Sequence, residues 1–443
     1  MFLLLPLIAK SLRPLIIMPG LYGSNLYATY TDFAKHWYCP KTFEDEIAWV
    51  DAKFVVPPLY NCLFEMLACR YDEETQSITS QTNIDIHVHD FGGVDGISKV
   101  AELYSWKLIE SFGNLVDFLK DRGYEVKKNL FGAPYDWRFG VAGLNKTSFF
   151  LEYQQLVEQA YEINGKQKVV LLGYSLGTFV LSHFLGRLMT PEWKEKYIER
   201  IILLAPALAG SGDTLPVAWN KEFPLIPLIT NDIIKQSLEH IPVIHGLFPN
   251  HVVYAGDEVI RTPEGQSITP EMLPDFLVQH GKYSGDSEKM LRISEELSKL
   301  APADPGVDMK IIYNSALPTS FALNFIDGFD QEPEVETVSG DGTVPSKGPE
   351  WIADNWNLNG QYILEELNLM RNDDDFDHMG IGNNAYVNQL IFDYANKENN
   401  RRQSRKGFTV VETAPYVELT NTTQSGYIVR EDVRLGSKKI IKH

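Results

Sequence analysis

The run from Lys168 to Met189, KVVLLGYSLGTFVLSHFLGRLM, constrains the fold more than any other stretch of the chain. Val169, Val170, Leu171 and Leu172 form a continuous apolar run, as expected of a central parallel strand buried on both faces. Gly173-Tyr174-Ser175-Leu176-Gly177 follows, and then Phe179, Val180, His183, Phe184 and Leu188 recur at helical spacing. Strand, G-x-S-x-G and helix together make the pattern of a nucleophile elbow. In such an elbow the serine occupies a strained turn, and small neighbours let strand and helix approach. The pentapeptide alone is a weak signal. Its flanks make it specific, and Ser175 is the candidate nucleophile.

A serine hydroxyl attacks poorly near neutral pH, so it needs an imidazole to take its proton and a carboxylate to orient that imidazole. Chain order in sheets of this kind is serine, acid, histidine. The histidines downstream of Ser175 are His183, His240, His245, His251, His280, His378 and His443. His183 falls on the elbow helix and reads as a core or groove residue, whereas His240, His245 and His251 fall in or beside an apolar insertion. His378, in the loop Asp377-His378-Met379-Gly380, is the preferred base, with a solvated surface histidine among Asp373, Asp374, Asp375 and Asp377 as the alternative. Asp341, between glycines in GDGTVP, is the preferred acid, and an ordinary Asx-turn is the alternative.

The rest of the chain fits an α/β rhythm. Arg13 to Met18 reads as a first strand that ends in Pro19-Gly20-Leu21-Tyr22-Gly23, a turn suited either to a second oxyanion donor or to a plain strand exit. A helix is expected near 102–121, a strand near 124–130, a helix near 147–163, and strands at Arg200–Ala205 and Asp308–Tyr313. Thr190-Pro191-Glu192 reads as a helix start. In GAPYDWR, Asp136 and Arg138 are expected to pair with each other or with neighbouring backbone in a structural role, a direct catalytic role being the alternative.

Two insertions interrupt this rhythm. Residues 31–100 are rich in aromatic and apolar side chains, Trp37 and Trp49 among them, and either cover the core or present a patch to lipid. Residues 208–250 mix Gly, Pro, Trp and apolar residues as a lid over an acyl pocket would, or form a peripheral helical unit. Residues 397–443 carry ten Lys or Arg against five Asp or Glu and read as a basic peripheral extension.

At 443 residues and 44% hydrophobic, the chain buries a full core, and its formal charge of −19 argues against a nucleic-acid partner. The apolar N-terminal run, residues 1–12, is read either as a short signal segment or as a buried lead-in to the first strand. The sequons at Asn145 and Asn421 are compatible with secretion. Cys39, Cys62 and Cys69 suit one local disulfide and a free thiol, or three thiols in a reducing compartment. Their spacing does not suggest zinc, the acidic run near Asp374 lacks an EF-hand spacing, and no metal or cofactor is expected.

Taken together, PLIIMPGLYGSNL, GAPYDWR, GYSLG, LLAP, GDGTVP and DHMGI resemble the lecithin:cholesterol acyltransferase family, from about Arg13 to Leu390. The resemblance implies an α/β-hydrolase domain over 13–396 with a membrane-binding insertion and a lid. It makes Ser175 nucleophile, Asp341 acid and His378 base, and it puts the oxyanion hole at the backbone N–H groups of Leu21 and Leu176. It also implies a Cys39–Cys62 disulfide and lipid contact by Trp49, Phe54, Leu59 and Leu63. The implied activity is phospholipase A or O-acyltransferase chemistry at a phospholipid membrane or lipoprotein-like surface, with water or a lipid alcohol as acceptor. The implied location is the secretory pathway, secreted or in a lysosomal or vacuolar lumen. A soluble carboxylesterase or lipase, and a non-catalytic lipid-binding protein on the same fold, are the other readings. The chain departs from the family pattern at Tyr174, where histidine is frequent, at Thr178, where glycine is frequent, in APALAGS, and at Leu21, which is acidic in the family's lysosomal phospholipase.

Overall fold

The computed structural model describes residues 12–49, 51–98, 102–103, 106–107, 112–221, 232–356, 362–367, 376–397 and 409–410. Nearly all of the N-terminal run, the middle of the proposed lid, the acidic run at 373–375, the Asn421 sequon and most of the basic extension lie outside these residues.

Among the described residues, seven parallel strands form the central sheet. They are Leu15–Met18 (β1), Leu130–Gly132 (β2), Val169–Tyr174 (β3), Ile198–Leu204 (β4), Met309–Asn314 (β5), Tyr362–Leu367 (β6) and Thr409–Val410 (β7). Their spatial order is β7-β6-β5-β4-β3-β1-β2, so the nucleophile strand lies inside the sheet. The apolar runs are continuous because both faces are covered. Ile16, Met18, Val169, Leu171, Ile201 and Leu203 enter the core on one face, and Leu15, Ile17, Val170, Leu172, Ile202 and Leu204 enter it on the other. Each such fully buried side chain contributes about 1.5–3 kcal/mol relative to exposure. This is the α/β-hydrolase architecture expected from the sequence.

Two expected boundaries shift. Residues 102–103 and 106–107 pair as a short antiparallel hairpin, and the helix begins only at Gly113. The strand expected near 124 starts at Leu130, because residues 125–129 close a polar turn. In that turn Asn129 Oδ1 accepts from the Glu125 amide at 2.6 Å and Lys127 takes φ 61°. The helix start at Thr190 is as expected, with Thr190 Oγ1 accepting from the Trp193 amide at 3.2 Å and Pro191 in the first turn.

The 31–100 insertion builds a separate antiparallel sheet, with Leu26–Thr31 between Thr42–Trp49 and Ile84–His87. Helix Tyr60–Leu67 packs beneath it, and Cys39 and Cys62 are joined by a disulfide. Three of the four expected lipid contacts are buried here. Trp49 is 1% exposed, Phe54 and Leu63 are fully buried, and Leu59 is half-buried against the core. Among its described residues, the large apolar side chains this insertion exposes are Trp37, at 88%, and Val56. Trp49 turns inward because its indole N–H has a backbone acceptor there, the Tyr22 carbonyl at 2.9 Å.

The seam between insertion and sheet is polar, and the Arg138 at its centre is fully buried. Arg138 and Asp136 pair as expected, with Nε to Oδ1 at 2.8 Å and NH2 to Oδ2 at 2.6 Å. The Arg138 guanidinium also donates to the carbonyls of Met66 and Leu67 and to Ser80 Oγ, all in the insertion. Among the described residues, no helix is long and apolar enough to cross a membrane.

Candidate active site

Ser175 stands where β3 turns into helix Leu176–His183, with φ 51° and ψ −123°. A non-glycine residue held there stores about 1–3 kcal/mol of strain, and the neighbours show what holds it. The Ser175 amide donates to the Leu204 carbonyl at 2.9 Å. The Thr178 hydroxyl donates to the Ser175 carbonyl at 2.6 Å, so the threonine at this departure from the family pattern braces the turn. A Cβ at Gly177 would come within 2.5 Å of the Met18 and Pro19 carbonyl oxygens, so only glycine lets the helix start this close to β1.

The structure brings the three residues chosen by chain order into one hydrogen-bonded line. His378 Nε2 lies 2.8 Å from Ser175 Oγ, and His378 Nδ1 lies 2.7 Å from Asp341 Oδ2. The other oxygen of Asp341 accepts from the amides of Val344 at 2.7 Å and Thr343 at 3.1 Å, so the GDGTVP loop fixes the carboxylate. The His378 amide donates to the Asp341 carbonyl at 2.8 Å. All three residues are buried. Burial alone would lower the His378 pKa, but the carboxylates of Asp341, Asp213 and Asp377, Asp341 foremost, together outweigh it. The net result is an imidazole that binds its proton more tightly than an ordinary histidine.

Three residues that the sequence reading passed over support this line. The Tyr174 hydroxyl donates to the His378 carbonyl, and its ring stacks on the imidazole with centroids 5.4 Å apart. Asn314, at the end of β5, donates to the Phe376 carbonyl at 2.9 Å and holds the approach to His378. Asp213, whose carboxyl pKa burial raises, faces His378 from the base of the 208–250 insertion. Tyr174 was visible only as an unusual elbow residue. Asn314 and Asp213 carry no local pattern at all.

The Pro19–Gly23 loop lies against the serine. A Cβ at Gly20 would stand 2.9 Å from the Ser175 Cβ. Leu176 is the first residue of its helix, so its N–H has no acceptor within the helix. The GAPYDWR segment carries the loop from behind. Tyr135 donates its hydroxyl to the Pro19 carbonyl at 2.9 Å, its amide donates to Ser24 Oγ at 3.0 Å, and Trp137 Nε1 donates to the Ser24 carbonyl at 3.2 Å. Tyr22, Trp49 and Trp137 pack together with ring centroids 4.8–5.3 Å apart. Trp49 of the insertion and Trp137 of GAPYDWR therefore brace this loop.

Other histidines stand apart from the line. His183 is a buried core residue, with Nε2 2.8 Å from Asn145 Oδ1 and a pKa that burial lowers to about 4. His245 is wholly buried in the 208–250 insertion, its pKa lowered to about 3 by burial. At the foot of that insertion, the Gly212 amide and the Ser211 hydroxyl donate to the Thr343 carbonyl, so it rests on the Asp341 loop.

Comparison with known proteins agrees with this architecture. A lysosomal phospholipase A and acyltransferase from Bos taurus is 27% identical over 340 residues, covering 76% of this chain and 81% of that protein. Lecithin-cholesterol acyltransferase-like 1 from Arabidopsis thaliana is 26% identical over 364 residues, covering 76% and 81%. A phosphatidylcholine-sterol acyltransferase from Rattus norvegicus is 25% identical over 342 residues, covering 76% of each. Among solved structures, a chain of the Tle4–Tli4 complex superposes with a TM-score of 0.52 at 12% identity, covering 86% of this chain and 97% of that one, a likeness of fold. The family profile for lecithin:cholesterol acyltransferase matches residues 42–271, more than half of the chain, and the protein belongs to that family.

Proposed function

We propose that the protein is a serine-dependent phospholipase A and O-acyltransferase acting on glycerophospholipid at a lipid surface. The observation that carries this reading is the buried hydrogen-bonded line from Ser175 through His378 to Asp341 in a chain of this family. Ser175 Oγ attacks the carbonyl carbon of a fatty-acyl ester while His378 Nε2 takes its proton. Asp341 holds the imidazole with Nε2 towards the serine and stabilises the imidazolium that forms. The oxyanion is received by the N–H groups of Leu176 and Leu21, on a loop made rigid by Tyr135, Trp137 and Trp49. The tetrahedral intermediate collapses as His378 returns the proton to the lysophospholipid alkoxide, which leaves an ester on Ser175. Water or a lipid alcohol then attacks that ester with the same base, giving hydrolysis or acyl transfer.

Residues 208–250 act as the lid, and Trp37, fully displayed beside the Cys39–Cys62 bridge, is the side chain that meets lipid. The bridge supports passage through the secretory pathway. The test is incubation with phosphatidylcholine liposomes containing a sterol or ceramide, following lysophospholipid, fatty acid and acylated alcohol by mass spectrometry. Ser175→Ala is expected to lower lysophospholipid release by about 10⁶-fold. Equal release by the Ser175→Ala protein would overturn the mechanism. Fatty acid without acylated alcohol would assign hydrolysis alone.

A further inference from the structure

The solvent face of the insertion's sheet carries a cluster that the acyl-transfer reading does not use. Along Ile84-Asp85-Ile86-His87-Val88-His89 the side chains alternate. Ile84 and Ile86 are buried and Val88 packs on the core, while Asp85, His87 and His89 take the opposite face. On the far edge strand, Asp45 sits at an irregularity in the register with φ 55°, its amide donating to Thr29 Oγ1 at 3.0 Å. This turns its carboxylate over the central strand towards the two imidazoles. Asp45 Oδ1 lies 2.8 Å from His87 Nε2 and 2.6 Å from His89 Nε2. Tyr27 lies flat on His89, with centroids 3.9 Å apart and planes within 6°, and so fixes that ring.

The donor inventory of His87 makes this more than a hydrogen-bonded pair. Its Nε2 faces the Asp45 carboxylate, and its Nδ1 lies 3.0 Å from Asp85 Oδ2. A neutral imidazole has only one N–H, so with carboxylate oxygens within 3.0 Å of both nitrogens one lone pair faces negative charge. A cation on Nε2 removes that repulsion and leaves the proton on Nδ1, near Asp85 though without a hydrogen bond to it. Two imidazole nitrogens and a carboxylate oxygen are the donors that zinc accepts, with water completing the shell. All the donor atoms lie within 4.8 Å of one another. Tetrahedral bonds of about 2.0–2.1 Å put donors about 3.3 Å apart, so the half-exposed Asp45 carboxylate must withdraw from both imidazoles while their nitrogens settle at that spacing.

We propose that Asp45, His87 and His89 bind one divalent transition-metal ion of the zinc class, with Tyr27 holding the His89 ring. Such an ion bridges the two edge strands of the insertion across the central one. It joins residues 45 and 87–89 outside the ester-cleaving site and fixes the sheet from which Trp37 is presented.

The test uses the full chain after chelator treatment, titrated with Zn²⁺ by calorimetry and with Co²⁺ by visible absorption. Expected is one equivalent of bound metal with cobalt d–d bands, a rise in melting temperature with Zn²⁺, and retention of all three in His378→Ala, which discounts the buried imidazole beside Ser175. His87→Ala/His89→Ala is expected to weaken binding at least tenfold and to abolish the bands and the thermal shift. Asp45→Asn, nearly isosteric, is expected to weaken binding without unfolding the sheet and so guards against a folding artefact. Binding of equal strength in the double variant and in Asp45→Asn would overturn the site, as would absence of any uptake by the untreated or chelator-treated chain.

Discussion

The parallel sheet and the 31–100 insertion are both rich in apolar side chains, yet a residue's type predicts its surroundings well in one and poorly in the other. In β1, β3 and β4 every run of Leu, Ile and Val is buried, because a parallel strand has two covered faces and nowhere else to put them. In the insertion the strands are antiparallel with one wet face, so neighbouring aromatics part company. Trp49 goes under the sheet to hold Tyr22, and Trp37 goes fully into solvent. What decides is the partner waiting for the polar end of each ring, and that partner is distant in sequence. Aromatic density therefore marks where an interface is, and tertiary acceptors choose which rings form it.

Five substitutions break or sharpen this contrast. The largest effect belongs to the sheet side. Asp341→Asn keeps the buried shape but loses the carboxylate that orients His378, and kcat/KM for phospholipid cleavage is expected to fall about 10⁴-fold with an unchanged urea midpoint. At the seam, Arg138→Ala leaves Asp136 and the Met66 and Leu67 carbonyls without their donor. It is expected to cost about 3–5 kcal/mol in urea unfolding, and a loss below 1 kcal/mol would mean that the insertion is not anchored there.

Inside the insertion, Trp49→Phe deletes one hydrogen bond under the Pro19–Gly23 loop. About 1 kcal/mol, roughly fivefold in turnover, is expected to be lost while liposome partitioning is unchanged. Trp37→Ala should do the reverse, and an exchange of the two outcomes would collapse the contrast. The smallest effect is a shift in a pH profile. His378 must be neutral to take the Ser175 proton, and its pKa stands above the ordinary histidine value, so cleavage falls as pH drops through that raised value. Asp213 contributes to the raising. Asp213→Asn is therefore expected to move the acid limb of kcat/KM to lower pH, and a limb that stays in place or moves upward would remove Asp213 from the site.

Legibility in the sequence follows the same division. The elbow strand, the Thr190 cap, the Asp136–Arg138 pair and the order Ser175, Asp341, His378 could be read because each rests on local periodicity, local hydrogen bonding or chain order. The inward turn of Trp49 could not be read, since its acceptor, the Tyr22 carbonyl, is supplied by the first strand's exit loop. Tyr174 looked like a substitution and proves to brace the His378 backbone from the serine side, across 204 residues of chain. His87 and His89 were not singled out in the sequence, where residues 31–100 read only as an aromatic-rich insertion. Their convergence with Asp45 depends on a register irregularity in another strand, and no pattern in the sequence announces it.

The disulfide gives the exposed Trp37 loop a durability of a different kind. Closing the 23-residue separation between Cys39 and Cys62 removes conformational freedom from the unfolded chain, worth about 3 kcal/mol in the loop-entropy description. With a third cysteine only seven positions on, such a bridge would ordinarily be open to exchange. Exchange needs a thiolate, and Cys69 is wholly buried with a pKa pushed up by that burial to about 12. The same packing that hides Cys69 under the insertion thus makes the Cys39–Cys62 pairing the one that persists, and no thiol of the chain itself can scramble it.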